Sequence, residues 1–214
     1  MTPEELSGLH PCLFHVTLAE AVDGIHRHGL LSTSRLLDLF EVEGRARVAL
    51  ERGRRPTRQV LDHPRHGRLT LNDNTPLAET ALAGCLDDGL TPADWFATLN
   101  ARVFFWVDED RVARFVAARA NRGRDLAVLA LDTLGVVRAH RERVELSAIN
   151  SGSALRRPAR RGKATFAPLG AHSYRAWQGL RGRRTPDRIC EVVVEGGVAP
   201  IAPHLVAVQH RAGR

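Results

Sequence analysis

Alternating apolar and polar positions mark the first element: Cys12-Leu-Phe-His-Val-Thr17 reads as a short strand. The period then changes. Ala21, Val22 and Ile25 fall on one side of a helix from about Leu18 to His28, and Gly29 stands where a glycine would end it. Ser32, Thr33 and Ser34 offer caps for a short helix through Arg35-Leu-Leu-Asp-Leu-Phe40. From Gly44 to Arg68 the periodicity is weak, which predicts part helix and part loop. A further helical pattern begins at Asn74-Thr-Pro76, carries Leu77, Ala81, Leu82 and Leu86, and ends near Gly89. Thr91-Pro-Ala-Asp94 combines a hydroxyl cap, a proline at the first helical position and an acid at the third, so a helix follows with Trp95, Phe96 and Leu99 inward.

Arg102-Val-Phe-Phe-Trp-Val107 is the clearest strand by composition. Asp108 caps a helix to about Asn121, with Val112, Phe115 and Val116 inward. Asp125 to Thr133 is a near-continuous apolar run, the pattern of a central strand covered on both faces. Val136 to Ala139 and Val144 to Ser147 predict two more strands, and Ile189 to Val194 and Leu205 to Val208 the last two. Strands and helices do not alternate, and the helices crowd into the first half. The pattern predicts an α+β fold in a single domain over residues 1–214.

With 43% hydrophobic and 26% charged residues, the chain has the makings of a buried core rather than of disorder. No apolar run approaches the roughly 18 residues that span a bilayer. Met1-Thr-Pro-Glu-Glu5 lacks the basic-then-apolar pattern of a secretory leader, so a cytoplasmic protein with no membrane partner is expected. Cys12, Cys85 and Cys190 lie far apart, which argues against a disulfide framework or a zinc site.

Charge changes the picture. The net charge is +7, and between Ser151 and Glu191 ten basic residues face only two acids. The rest of the chain is therefore close to neutral. Lys163 is the only lysine, so the positive charge is almost wholly guanidinium. Coding bias can favour Arg over Lys, but Arg also binds phosphate bidentately and stacks on bases. The segment predicts a polyanionic partner, or else a solvated basic loop.

Familiar catalytic patterns are absent: no GxGxxG, no GxxxxGK[ST], no HExxH and no GxSxG. His26 and His28 are too close in sequence to face one ion from a helix, and His63 and His66 lack an apparent carboxylate partner. No metal is expected.

What remains is spread along the chain. Leu13-Phe-His-Val-Thr17, a helix and then His28-Gly-Leu-Leu31 resemble the opening of the ADP-ribosyltransferase fold, most of all the DarT-type toxins that ADP-ribosylate DNA. Val103-Phe-Phe-Trp106 is similar to the family's second strand, which carries the middle aromatic of its His–Tyr–Glu signature. Ile189-Cys-Glu-Val-Val-Val194, Val198-Ala-Pro200 and Leu205-Val-Ala-Val208 are similar to its closing pattern, where the catalytic Glu begins a strand and a proline-containing turn leads to the last one. The Leu-Ser-x-Ile-Asn-Ser-Gly run from Leu146 to Gly152 is similar to one in related bacterial proteins.

The resemblance implies a split mixed β-sheet core and NAD+ as co-substrate. Cleaving the nicotinamide–ribose bond passes through an oxocarbenium-like cation, which a nearby carboxylate stabilises. By resemblance Glu191 is that carboxylate, acting through the 2′-hydroxyl of the nicotinamide ribose and as base toward the acceptor. His15 would hydrogen-bond the adenosine ribose, with Thr17 orienting it. The Val16 backbone would hold the nicotinamide amide, and Phe104 would stack on the ring. Phe104 departs from the family's Tyr, so a phenol contact is lost. Among Arg45 to Arg58, Arg55 is the candidate for the NAD+ phosphates, and Asn72-Asp-Asn74 with Pro76 partly echoes a polar segment of these families.

In this fold the loop before the catalytic Glu contacts the acceptor. Here that is the Arg-rich stretch of about 151–188, with Arg156, Arg157, Arg160 and Arg161 for phosphates and Tyr174 and Trp177 for base stacking. The implied acceptor is a nucleic-acid base, DNA favoured, presented single-stranded or extruded. A toxin's role further implies an antitoxin or immunity partner. Three alternatives stand: transfer to a protein or small molecule, hydrolysis of NAD+, and a catalytically inactive nucleic-acid-binding module. RNA 2′-phosphotransferase relatives share the His-x-Thr strand but need further basic residues not found here. By itself, Glu191 could equally be a strand-edge carboxylate paired with Arg188, and Tyr174 and Trp177 could be local packing of a long loop.

Overall fold

The computed structural model describes residues 1–155, 157–179 and 189–211. Helix α1 (Pro3–Leu9) starts in a full capping box: the Glu5 amide donates to the Thr2 hydroxyl at 3.1 Å and the Thr2 amide to the Glu5 carboxylate at 2.8 Å. Strand β1 (Cys12–Leu18) follows, then α2 (Val22–His28), β2 (Leu30–Leu31), α3 (Thr33–Leu39) and α4 (Gly44–Arg52). Next come the hairpin β3 (Gln59–His63) and β4 (Gly67–Leu71), the short α5 (Glu79–Ala83) and α6 (Pro92–Asn100). Then follow β5 (Arg102–Trp106), α7 (Glu109–Val116), β6 (Leu126–Asp132), α8 (Thr133–Ala139), β7 (Val144–Ser147), β8 (Ala167–Pro168) and α9 (Tyr174–Gly179). Strands β9 (Glu191–Glu195), β10 (Gly197–Val198) and β11 (Leu205–Arg211) close the chain.

Among the described residues seven strands form one sheet in the order β11-β6-β1-β5-β9-β7-β8. The class is α+β, as expected. The expected mixed sheet is corrected, because each strand pair in this sheet is antiparallel. β6 is buried on both faces along six of its residues but lies second from the sheet edge, not at its centre. β1 is in register with β6 over seven residues, yet meets β5 at the single pair Phe14↔Trp106. The sheet therefore divides between β1 and β5, and that division positions the site.

The core lies on both faces of the sheet. Leu13, Phe105, Leu129, Leu131, Val192 and Val194 pack under Leu6 of α1 and Val136 and Val137 of α8. On the other face Val193 and Phe104 pack against Trp95 and Phe96 of α6, Leu82 of α5 and Phe166. Val192, Val193 and Val194 are all fully buried, which a β-branched run in a doubly covered strand explains.

Four local expectations are corrected. Val136 to Ala139 is helical: the Asp132 carboxylate accepts from the Gly135 amide at 2.6 Å, and that cap outweighs the strand preference of two valines. The helix expected from Asn74 to Gly89 is limited to α5, because the Leu77 amide closes a turn onto the Asn74 carbonyl at 2.9 Å. The helix expected to reach Asn121 ends at Val116, and Phe115 is 41% exposed rather than inward. The Arg-rich stretch before Arg68 contains the β3–β4 hairpin, turned at Gly67 with φ 76°.

The pairing of β2 with β10 ties the end of α2 to the segment after β9. A Cβ on Gly197 would lie 2.2 Å from the Leu30 carbonyl oxygen, and its φ of +109° disfavours any other residue. Gly197→Ala is expected to lower the unfolding free energy by about 2–4 kcal/mol. Urea unfolding reads this directly, and an unchanged midpoint would contradict the close backbone approach.

Candidate functional site

Where β1 and β5 part, the His15 imidazole reaches across the gap and its Nδ1 meets the Phe104 carbonyl at 2.9 Å. A carbonyl only accepts, so Nδ1 carries the proton and Nε2 is left as an acceptor. Desolvation lowers the His15 pKa, and the Phe104 carbonyl only partly opposes it. The ring is thus neutral, held in one tautomer and packed edge-on against Phe105 at 6.0 Å between centroids.

His15, Thr17 and Phe104 line a cavity of about 400 Å³, walled also by α2, α3 and the β3–β4 hairpin. Arg27, Arg55, Arg68 and Arg102 are among its lining residues, with Glu20 and Asp73 as acids. The hairpin is held onto α2 and α3 by rings: His66 stacks on His63 at 4.7 Å and meets His28 edge-on at 5.1 Å, with Phe40 beside both hairpin histidines. Glu41 supplies the carboxylate near His63, at 3.7 Å from Nε2. Among the described residues no group of three or more His, Cys, Asp or Glu is placed to hold a metal ion.

Arg55 lines the cavity but is 8% exposed, and the protein uses its donors. Nε donates to the Asn72 carbonyl at 3.1 Å, one terminal nitrogen to the Asn100 side chain at 3.0 Å, and the other to the Leu50 carbonyl. Burial lowers its pKa. Arg55 therefore ties α4 to α6 and the hairpin's exit. Arg27 and Arg68, exposed on the cavity lining, are the arginines that sequence reasoning missed, because α2 and the hairpin meet only in the fold.

Glu191 begins β9, in register with Trp106 of β5 and Ser147 of β7. It does not line the cavity that His15 lines. Its side chain is buried, and Ser151 closes over it: the Ser151 amide lies 3.2 Å from each carboxylate oxygen and the hydroxyl donates to Oε2 at 2.7 Å. Burial pushes the Glu191 pKa up to about 7, against the pull of the Ser151 bonds and of the Arg161 and Arg111 charges. A carboxyl poised near neutrality can both give and take a proton.

The expected substrate residues divide sharply. Trp177 is 2% exposed within the main core, so its expected base stacking is corrected to packing. Arg161 is also 2% exposed, with donors on the Ala159, Ser151 and Ser153 carbonyls, so it holds the chain rather than a polymer. Arg160 is exposed and paired with Asp87, and Arg157 is exposed. Tyr174 packs half-buried against the core. Arg156, like Arg188, lies outside the described residues. A larger groove of about 810 Å³, between α7 and the β1, β6 and β11 strands, holds none of the expected site residues. No helix among the described residues is long and apolar enough to cross a membrane.

An α+β fold with a divided antiparallel sheet, a tautomer-locked histidine at the division and a buried carboxylate two strands away defines the class. The chain belongs to the DUF7002 family, a family of unknown function whose model matches residues 11–205. No curated protein matches it.

Proposed function

We propose that this protein is an NAD+-dependent ADP-ribosyltransferase that transfers ADP-ribose to a nucleic-acid base, with DNA as the favoured acceptor. One observation carries the reading: His15, Phe104 and Glu191, which the sequence resemblance singles out separately, come from strands β1, β5 and β9, consecutive in the sheet, with its division between the first two. The cavity also suits a dinucleotide's chemistry, with an acceptor nitrogen for a ribose hydroxyl, an aromatic wall and cations for a diphosphate.

In this reading NAD+ lies bent across the β1–β5 division. The His15 Nε2 accepts a hydroxyl of the adenosine ribose, and Thr17 lines the same wall. The Val16 backbone, which has no register partner on the β5 side, receives the nicotinamide amide. Phe104 offers ring contact without a hydroxyl. Arg27 and Arg68 meet the diphosphate, the role first expected of Arg55. Glu191 in its ionised form binds the 2′-hydroxyl, the C1′–N bond breaks, and nicotinamide leaves with the bonding pair. An acceptor nitrogen then attacks C1′ and its proton passes to Glu191. The nicotinamide end must therefore reach Glu191 beneath Ser151.

The deep burial of Glu191 is the observation that favours the second reading, an inactive nucleic-acid-binding module. The two separate on incubation with NAD+ and, in turn, single-stranded DNA, RNA or cell protein. One polymer gaining the mass of ADP-ribose is the result expected, and DNA is the polymer expected to gain it. Nicotinamide release without a modified acceptor would mean a glycohydrolase. Salt-sensitive DNA binding with no NAD+ consumed would leave only the binding module.

A further inference from the structure

We infer that Ser151 is a positioning residue for Glu191, and that its clasp presents Oε1 as the oxygen that meets substrate. This rests on the transferase reading for its chemistry but not for its geometry. The Ser151 hydroxyl donates to Oε2 alone, at 2.7 Å, while the amide is shared equally between the two oxygens at 3.2 Å. Among the described residues Oε2 is thus the more fully occupied oxygen, and Oε1 keeps the greater acceptor capacity. Both bonds favour the ionised form, since an N–H and an O–H donate more strongly to a carboxylate than to a carboxylic acid.

Ser151 is itself held from behind. Arg161 donates to the Ser151 carbonyl at 3.0 Å and to the Ser153 carbonyl at 3.0 Å. The Trp95 indole N–H reaches the Ser151 carbonyl at 3.4 Å, and the Ala154 amide fixes the segment to the Pro76 carbonyl at 3.0 Å. Ahead of it, the Ser147 hydroxyl accepts from the Ile149 amide at 3.2 Å, and the Cys190 amide donates to the Ser147 carbonyl at 2.7 Å. A serine with its backbone fixed on both sides and three contacts to one carboxylate is built to hold that carboxylate in a single orientation. The charged groups facing Glu191 are Arg161, from the same segment, and Arg111 of α7, which also binds Asp108 and the Cys190 thiol. Both arginines act on Glu191 through their charge, while Ser151 supplies hydrogen bonds to both carboxylate oxygens.

The test titrates Glu191 in the full chain without NAD+, following its side-chain carboxyl carbon by NMR in wild type, Ser151→Ala, Ser151→Cys and Ser151→Thr. Ser151→Ala is expected to raise the midpoint by about one pH unit. Ser151→Cys keeps the volume with a weaker donor and is expected to raise it less, which preserves the readout should the alanine variant not fold. Ser151→Thr keeps the hydroxyl and is expected to restore the wild-type midpoint. With NAD+, the pH–rate profile of Ser151→Ala is expected to move by the same amount, with kcat falling about tenfold. Folded Ser151→Ala and Ser151→Cys with unchanged midpoints would overturn the inference. Midpoints that move in proteins that never release nicotinamide would uphold the clasp and overturn the transferase reading instead.

Discussion

Glu191→Gln is expected to stabilise the protein by about 3 kcal/mol at about pH 8 while ending NAD+ cleavage. The carboxyl ionises near its ordinary 4.5 in the unfolded chain but near 7 in the folded one, because burial disfavours the charge. Between those values the folded state keeps a proton that the unfolded chain has lost, so stability falls as pH rises through the window and the deficit is complete above it. Glutamine has no proton to lose, and it can still accept from the Ser151 amide. Its stability should therefore lack that slope. His15 acts in the opposite sense: its lowered pKa means that stability is lost as pH falls below the ordinary histidine range near 6.5. Urea midpoints of wild type and Glu191→Gln at several pH values give the Glu191 slope as their difference. Parallel curves would show that Glu191 is not desolvated. A residue whose removal strengthens the fold and abolishes turnover marks a functional site.

Trp95→Ala is expected to cost about 3–5 kcal/mol. Trp95 is fully buried, stacks on Phe166 at 5.8 Å with 12° between the planes, and lies beneath the Arg161 guanidinium at 5.8 Å. Its loss leaves a void at the centre of the second core and removes the indole bond to the Ser151 carbonyl. The effect should thus reach beyond stability, loosening the segment that clasps Glu191. Phe115→Ala, at an exposed ring, is the contrast and should cost under about 1 kcal/mol. Denaturant unfolding of both variants makes the comparison, and equal losses would contradict the assignment of Trp95 to the core.

How far each element can be read from sequence depends on whether its determinants are local. Thr91-Pro-Ala-Asp94 carries its own cap, and α6 begins there. The β5, β6 and β9 strands announce themselves because each carries an unbroken apolar run, at 103–106, 126–131 and 192–194. α8 does not, because two valines read as strand while the deciding Asp132 bond is a side-chain contact. The Thr2–Glu5 box that starts α1 is equally local, yet seven residues carry too little apolar periodicity for that helix to be expected. The hairpin hides among arginines whose charge obscures the alternation of Leu61, Leu69 and Leu71.

The site was legible in pieces. His15, Thr17, Phe104 and Glu191 stand in short motifs on strands, but the cavity is made when the β3–β4 hairpin folds back onto α2, which no linear pattern encodes. Arg161 and Trp177 read as ligands because charge and aromaticity were visible while burial was not. Ser151 lay in a run singled out for resemblance, yet forty residues separate it from Glu191 and only the fold joins them.

Glu191 is the residue proposed to carry NAD+ cleavage. Nicotinamide release from NAD+ by wild type and by Glu191→Ala, each with single-stranded DNA present, tests it most directly. Wild type is expected to release nicotinamide, and the variant to release about 10³-fold less or lower. Release that persists unchanged in a folded Glu191→Ala protein, or none from wild type, would contradict it.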